Sequence, residues 1–238
     1  MIETPVLPEL LEDPPMPFTE HLVELRRRLI ASLLILGAAA AVTFHYSGSF
    51  LSWLARPVGH LIFLAPTEAF YTRLKVALYG GFILGLPLIL HQAWLFVGRA
   101  IDRRWRRMLL AMLPVAYGLF MLGVAICLFI VVPAAMKFLL SYGSDDIRPQ
   151  MTLSAYLEFV AGLSLAFGAV FQTPLVLYGL NRMGIVQRAA LTEYRRHIYL
   201  LCFIASAFLT PGPDVVSQIS LAVPAIVLFE LTLLAMSR

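Results

Sequence analysis

Charge is scarce in this chain. Of 238 residues only 13% are Asp, Glu, Lys or Arg, about half the share usual in a soluble globular domain. No long polar stretch follows residue 17, which leaves no separate soluble domain. Cysteine is nearly missing too. Cys127 and Cys202 each sit in an apolar run, where they read as free thiols behaving as small hydrophobes, without the neighbours a disulfide or metal site needs. There is no Gly-x-x-x-x-Gly-Lys phosphate loop, no His-Glu-x-x-His zinc motif and no Gly-x-Ser-x-Gly nucleophile elbow. Nor do the apolar segments carry paired acidic residues of the kind an intramembrane aspartyl protease requires. The expectation is a chain that is no enzyme and takes no cofactor.

Apolar residues dominate, at 60% with a mean hydropathy of +0.84, which places the chain in a bilayer. Six stretches carry this character: 29–44, 74–97, 108–132 (ended by Pro133), 153–180 with Pro174 inside, 198–209, and 215–236 interrupted by Pro224. The fifth holds about a dozen residues, or about 18 Å of helix, against the roughly twenty that a crossing takes. Local thinning of the bilayer or a partner helix has to cover the difference; a re-entrant fifth segment is the competing arrangement. Residues 1–17, acidic and with five prolines, read as a flexible cytoplasmic tail, lacking the basic start and apolar core of a signal peptide.

Thirteen of the eighteen Lys and Arg fall on one side if the six stretches alternate: Arg26–Arg28, the 99–107 linker, the 182–196 linker and Arg238. That asymmetry argues for cytoplasmic termini and disfavours the re-entrant arrangement. The net charge of +4 is therefore a topology signal, and no basic, aromatic-interleaved domain points to nucleic acid. On the other side, 47–73 is rich in aromatics and reads as an ordered cap at the interface. The loop 134–152 is more polar, and Pro211-Gly-Pro-Asp-Val215 is a tight turn that makes a stiff hairpin of segments five and six.

The most informative segment is Phe18-Thr-Glu-His-Leu-Val-Glu-Leu-Arg-Arg-Arg-Leu-Ile30, a charged amphipathic stretch running straight into the first apolar segment. The arginines serve as a topological anchor. Glu24 is not needed for that, since charge at the mouth of a spanning helix is costly. It sits four residues before Arg28, so an intrahelical ion pair is one account of it.

This segment closely resembles the amino-terminal signature of the TatC family, core subunits of the twin-arginine protein translocase, in the pattern His-Leu-x-Glu-Leu-Arg-x-Arg: here His21, Leu22, Glu24, Leu25, Arg26 and Arg28. Further matches follow in order: Ala55-Arg56-Pro57, Glu68-Ala-Phe-Tyr-Thr72, Gln92-Ala-Trp-Leu-Phe96, Phe171-x-x-Pro174, Leu209-Thr-Pro211, Pro213-Asp-Val-Val-Ser-Gln218 and Leu228-Phe-Glu230. The resemblance implies an all-α integral membrane protein of six transmembrane helices in a concave, glove-like bundle, helices five and six short. It would form one domain over 18–238, in the cell membrane. It implies a receptor for twin-arginine signal peptides and a scaffold for single-span TatA-type and TatB-type subunits, working in several TatC copies and driven by the proton-motive force. The alternative is a polytopic solute or ion transporter, although neither inverted repeats nor a charged midplane site is visible.

A guanidinium stays charged and forks onto carboxylate, so Glu24 is the natural receptor group. With the resemblance, Arg26, Trp94 and Phe96 join it in the expected signal-peptide site. The family's first basic loop typically carries a glutamate where this chain has Trp105. Asp102 one turn earlier supplies the charge, Trp105 stacks an arginine by cation–π contact, Asp102 merely offsets its arginine neighbours, or the demand for a second arginine is relaxed. For the partner subunits the resemblance implies a site at Gln172, Phe208, Leu209, Asp214 and Gln218, with Ser217 beside them; a closed polar contact between helices four and six is the plainer account. Pro57, Glu68 and Phe70 are expected to shape the outer cap. Glu230 is expected to snorkel or to pair with Arg195 or Arg196. His45 and His91 sit near helix ends, where interfacial anchoring is commoner than proton transfer.

Overall fold

The computed structural model describes residues 18–56, 58, 61–100, 103–142, 151–210 and 214–236. The expected tail, Pro57, Asp102 and the 211–213 turn lie outside these. Among the described residues the structure is helical apart from turns and one backbone bridge. Helices α1 (Phe18–Leu54) and α2 (Pro66–Ala100) are followed by α3 (Arg103–Ile126), a π turn (Cys127–Val131) and α4 (Val132–Leu140). Then come α5 (Leu153–Val170), α6 (Thr173–Arg182), the short α7 (Arg188–Glu193), α8 (Arg195–Leu209) and α9 (Val215–Ala235). Five stretches are long and apolar enough to cross a membrane: 19–54, 66–96, 110–140, 153–182 and 215–235. Of the two segments expected to be short, α8 is, at 15 residues, or about 22 Å. Helix α9, at 21 residues, reaches span length.

Proline marks where helices restart. Pro66 opens α2 and Pro174 stands in the first turn of α6, positions whose N–H has no intrahelical partner in any case. Pro133 does not end the third segment as expected. The ladder widens to π register just ahead of it, with the Val132 N–H donating to the Cys127 carbonyl, and the helix runs on to Leu140. The fourth segment does break, at Phe171–Gln172. Likewise the cap expected over 47–73 is mostly helix, since α1 runs to Leu54 and α2 begins at Pro66.

The short remainder is tied down. Ile62 accepts from the Leu153 N–H (2.8 Å) and donates to the Met151 carbonyl (3.2 Å). Glu68 accepts through Oε1 from the Ser154 N–H (3.0 Å) and hydroxyl (2.7 Å), and through Oε2 from the Leu64 N–H (2.7 Å). One carboxylate thus joins the start of α2 to the start of α5 and satisfies a helix-start donor there.

Helices α1 and α2 form an antiparallel hairpin at close approach. A Cβ on Gly81 would lie 2.6 Å from Ala40 Cα and N, so backbone meets backbone. That is how helices associate where lipid supplies no hydrophobic drive. Helix α5 occupies the centre. Tyr156, Leu163 and Phe167 are buried against Val76, Cys127, Val132, Met136 and Leu221, and the Tyr156 hydroxyl donates to the Leu54 carbonyl at 2.7 Å. Lys75 and Glu158, charges on α2 and α5 within the spanning stretches, pair with each other, which offsets the cost of placing either there.

Candidate functional site

The helix ends cluster their charges at one pole, the basic end, formed by the start of α1, the end of α2, α7 and the start of α8. Helical spacing places Glu24 and Arg28 on one face of α1. There Arg28 Nε donates to Glu24 Oε1 at 2.6 Å and Arg28 Nη1 to Gln92 Oε1 of α2 at 2.9 Å. Glu24 is only 7% exposed. One turn earlier, His21 stacks on Phe96 with ring centroids 4.4 Å apart. The intrahelical pair is therefore formed, and the opposite helix takes part in it through Gln92. A buried carboxylate is thus paired with a guanidinium, a planar group whose fork suits carboxylate geometry.

Of the expected signal-peptide residues, Glu24 and Phe96 are brought together by the α1–α2 pairing. Trp94 is buried but sits about 200° around α2 from Gln92. Arg26 is exposed. Trp105 lies in the first turn of α3 with its side chain outside the described residues, as is Asp102. The sequence reading passed over Gln92 and the partnering of His21, although both stand in motifs it had marked; pairing the two motifs as an antiparallel hairpin would have found them.

Comparison with known proteins places this arrangement. Residues 20–224 match the family model described as Sec-independent protein translocase protein (TatC). The chain belongs to the TatC family. A relative from Carboxydothermus hydrogenoformans, "Sec-independent protein translocase protein TatC", is 37% identical over 227 residues, covering 94% of this chain and 93% of that one. One from Aquifex aeolicus is 34% identical over 226 residues, covering 92% and 93%. The crystal structure described as "Twin Arginine Translocase Receptor- TatC in DDM" superposes with a TM-score of 0.79 at 33% identity, covering 90% of this chain and 98% of that chain. The chain is thus a multi-pass membrane protein of a translocase family, a family of transport components and not a known enzyme family.

The other residues expected in this TatC-family chain are dispersed. Gln172 donates to the Ala116 carbonyl of α3 at 3.0 Å, and Gln218 to the Phe203 carbonyl of α8 at 3.4 Å. Gln172 lies nineteen residues beyond the start of α5 and Gln218 three beyond the start of the parallel α9, so about 24 Å of helix rise separates them. They do not form one polar site. Nor is Gln172 in a closed contact between the fourth and sixth segments; its partner is the third. Asp214 caps α9, accepting from the Ser217 N–H at 2.7 Å. Phe208 is 86% exposed and presented outward, while Leu209, exposed beside it, also lines a cavity between α6, α8 and α9. In the outer cap Glu68 ties two helices, while Phe70 is exposed against Tyr71. Glu230 pairs with Arg195 at 3.0 Å and accepts from the Tyr199 hydroxyl. His91 is exposed and His45 lies edge-on to Tyr46.

Proposed function

We propose that this chain is the signal-peptide receptor and scaffold of a twin-arginine translocase, with Glu24 as the acceptor for a signal arginine. The observation that carries the reading is the Glu24–Arg28–Gln92 cluster: a buried carboxylate at the mouth of a spanning helix, engaged with a guanidinium at 2.6 Å. Arg28 acts as the resident cation. An incoming arginine takes over Glu24 Oε1, and Arg28 stays in place through Gln92, so the carboxylate is kept buried and never left without a cation. His21 and Phe96 supply an adjacent flat surface for the apolar part of the peptide. The basic end faces the cytoplasm, in keeping with the positive-inside bias, and the chain sits in the cell membrane with both termini inside. Its six helical segments, α8 among them, form a concave wall. Single-span TatA-type and TatB-type subunits dock on the outward-facing Phe208 and Leu209 flank and at Gln218. Several copies assemble, and export of folded cargo draws on the proton-motive force.

Site-specific photocrosslinking of a twin-arginine precursor to this chain in membranes tests the reading. Glu24→Ala, and a Lys-Lys precursor with the wild-type chain, are each expected to abolish the crosslink while the protein remains inserted. A crosslink that survives both changes removes Glu24 from the site.

A further inference from the structure

Between α6, α8 and α9 lies a cavity of about 360 Å³, walled by Leu177, Ile198, Cys202, Ala205, Ala225 and Phe229 among others. Its lining is almost wholly apolar, and the Ser206 hydroxyl at its wall is already bonded to the Cys202 carbonyl. Along α8 the lining runs from Ile198 to Leu209, about 16 Å of helix. One leaflet of hydrocarbon is about 15 Å deep, half of the usual core. A partner helix of that length, at about 10 Å diameter, fills roughly 1,200 Å³, more than the open space of about 870 Å³. The slot follows nearly the whole of the short α8 crossing and holds less than a helix, with room for a hydrocarbon chain.

The end of the slot is chemically distinct. Leu191 of α7 closes it at the basic end, and Arg188 and Arg195 stand one helical turn before Leu191 and Ile198, on the same helix faces. Arg188 and Arg196 are exposed, with no carboxylate partner among the described residues. Arg195 gives Nη2 to Glu230, while its Nε is buried with no acceptor. Guanidinium donors at the mouth of a long apolar slot match a phosphate joined to an acyl chain.

We propose that this cavity is a binding site for one anionic phospholipid of the leaflet at the basic end. One acyl chain lies along α8, and the phosphate is held by Arg188 and Arg195. The bound lipid fills the wall of the short α8, where the protein by itself leaves a gap.

Native mass spectrometry of the full-length protein, released from nanodiscs of phosphatidylglycerol mixed with phosphatidylcholine, tests this. One phosphatidylglycerol is expected to remain per chain. Arg188→Gln is expected to lower its preference over phosphatidylcholine by about five-fold, and Ala205→Phe to remove the retained lipid. Equal retention of the two lipids by the wild type overturns the proposal, as does unchanged preference in Arg188→Gln, which decides the matter if Ala205→Phe fails to fold. Displacement of the lipid by inorganic phosphate overturns the acyl-chain half of it. A photocrosslinker at position 205 that captures a single-span subunit in place of lipid assigns the slot to a protein and overturns it as well.

Discussion

Arg28 holds two acceptors at once, Glu24 Oε1 on its own helix and Gln92 Oε1 on α2, a task for a planar fork and not for a point charge. Arg28→Lys and Gln92→Leu are therefore expected to act alike, loosening the basic end of the α1–α2 hairpin. Spin labels at positions 25 and 95 should show a broadened distance distribution in both, and an unchanged one would remove Gln92 as a tie. Glu68 is the matching residue at the other pole, accepting from Leu64 and from both donors of Ser154, 86 residues on. Glu68→Ala is expected to lower the unfolding temperature in detergent. Glu68→Gln recovers part of the loss, because its amide oxygen still serves Ser154 while its NH2 faces the Leu64 donor. Phe70→Ala, at a ring 59% exposed, should leave the temperature nearly unchanged.

At the scale of elements, the α1–α2 hairpin depends on what is absent from one position. Gly81→Leu forces a side chain into the Ala40 backbone and is expected to cost about 1–3 kcal/mol and to part the helices. Gly37→Leu, where nothing lies within 4 Å, serves as the control and should be tolerated. Denaturant-resolved unfolding of the two variants separates them. A second close approach, where a Cβ on Gly123 would lie 2.8 Å from the Phe167 carbonyl oxygen, holds α3 to α5 in the same manner. The π turn before Pro133 was not legible in the residues: a proline after an apolar run reads as a stop. Only the packing of Val132, Ala135 and Met136, all buried, draws the helix onward through a wider register.

The whole molecule is uneven in length across the membrane. Helix α1 is 37 residues long and α8 is 15, so the bilayer is expected to be thin beside α8. Transport reconstituted in lipids of increasing chain length should fall, and inserting four apolar residues into α8, about 6 Å of rise, should move the optimum toward thicker bilayers. An optimum that does not move would show that thinning at α8 plays no part.

Local pattern determined a good deal. Hydropathy marked each apolar segment and the shortness of α8, since a crossing is a matter of length and composition. Spacing of four placed Glu24 on Arg28, since neighbours on a helix face are set by its pitch, and the charge clusters marked the pole where both stand. What only the tertiary structure decided are the partners brought in from afar: Gln92 for Arg28, Ser154 for Glu68, the Ala116 carbonyl for Gln172, and the arginine-mouthed slot beside α8. None of these follows from pitch or hydropathy. Each requires two helices to meet at a given depth and rotation, and those are set by backbone approach at glycines and by side-chain packing across the bundle.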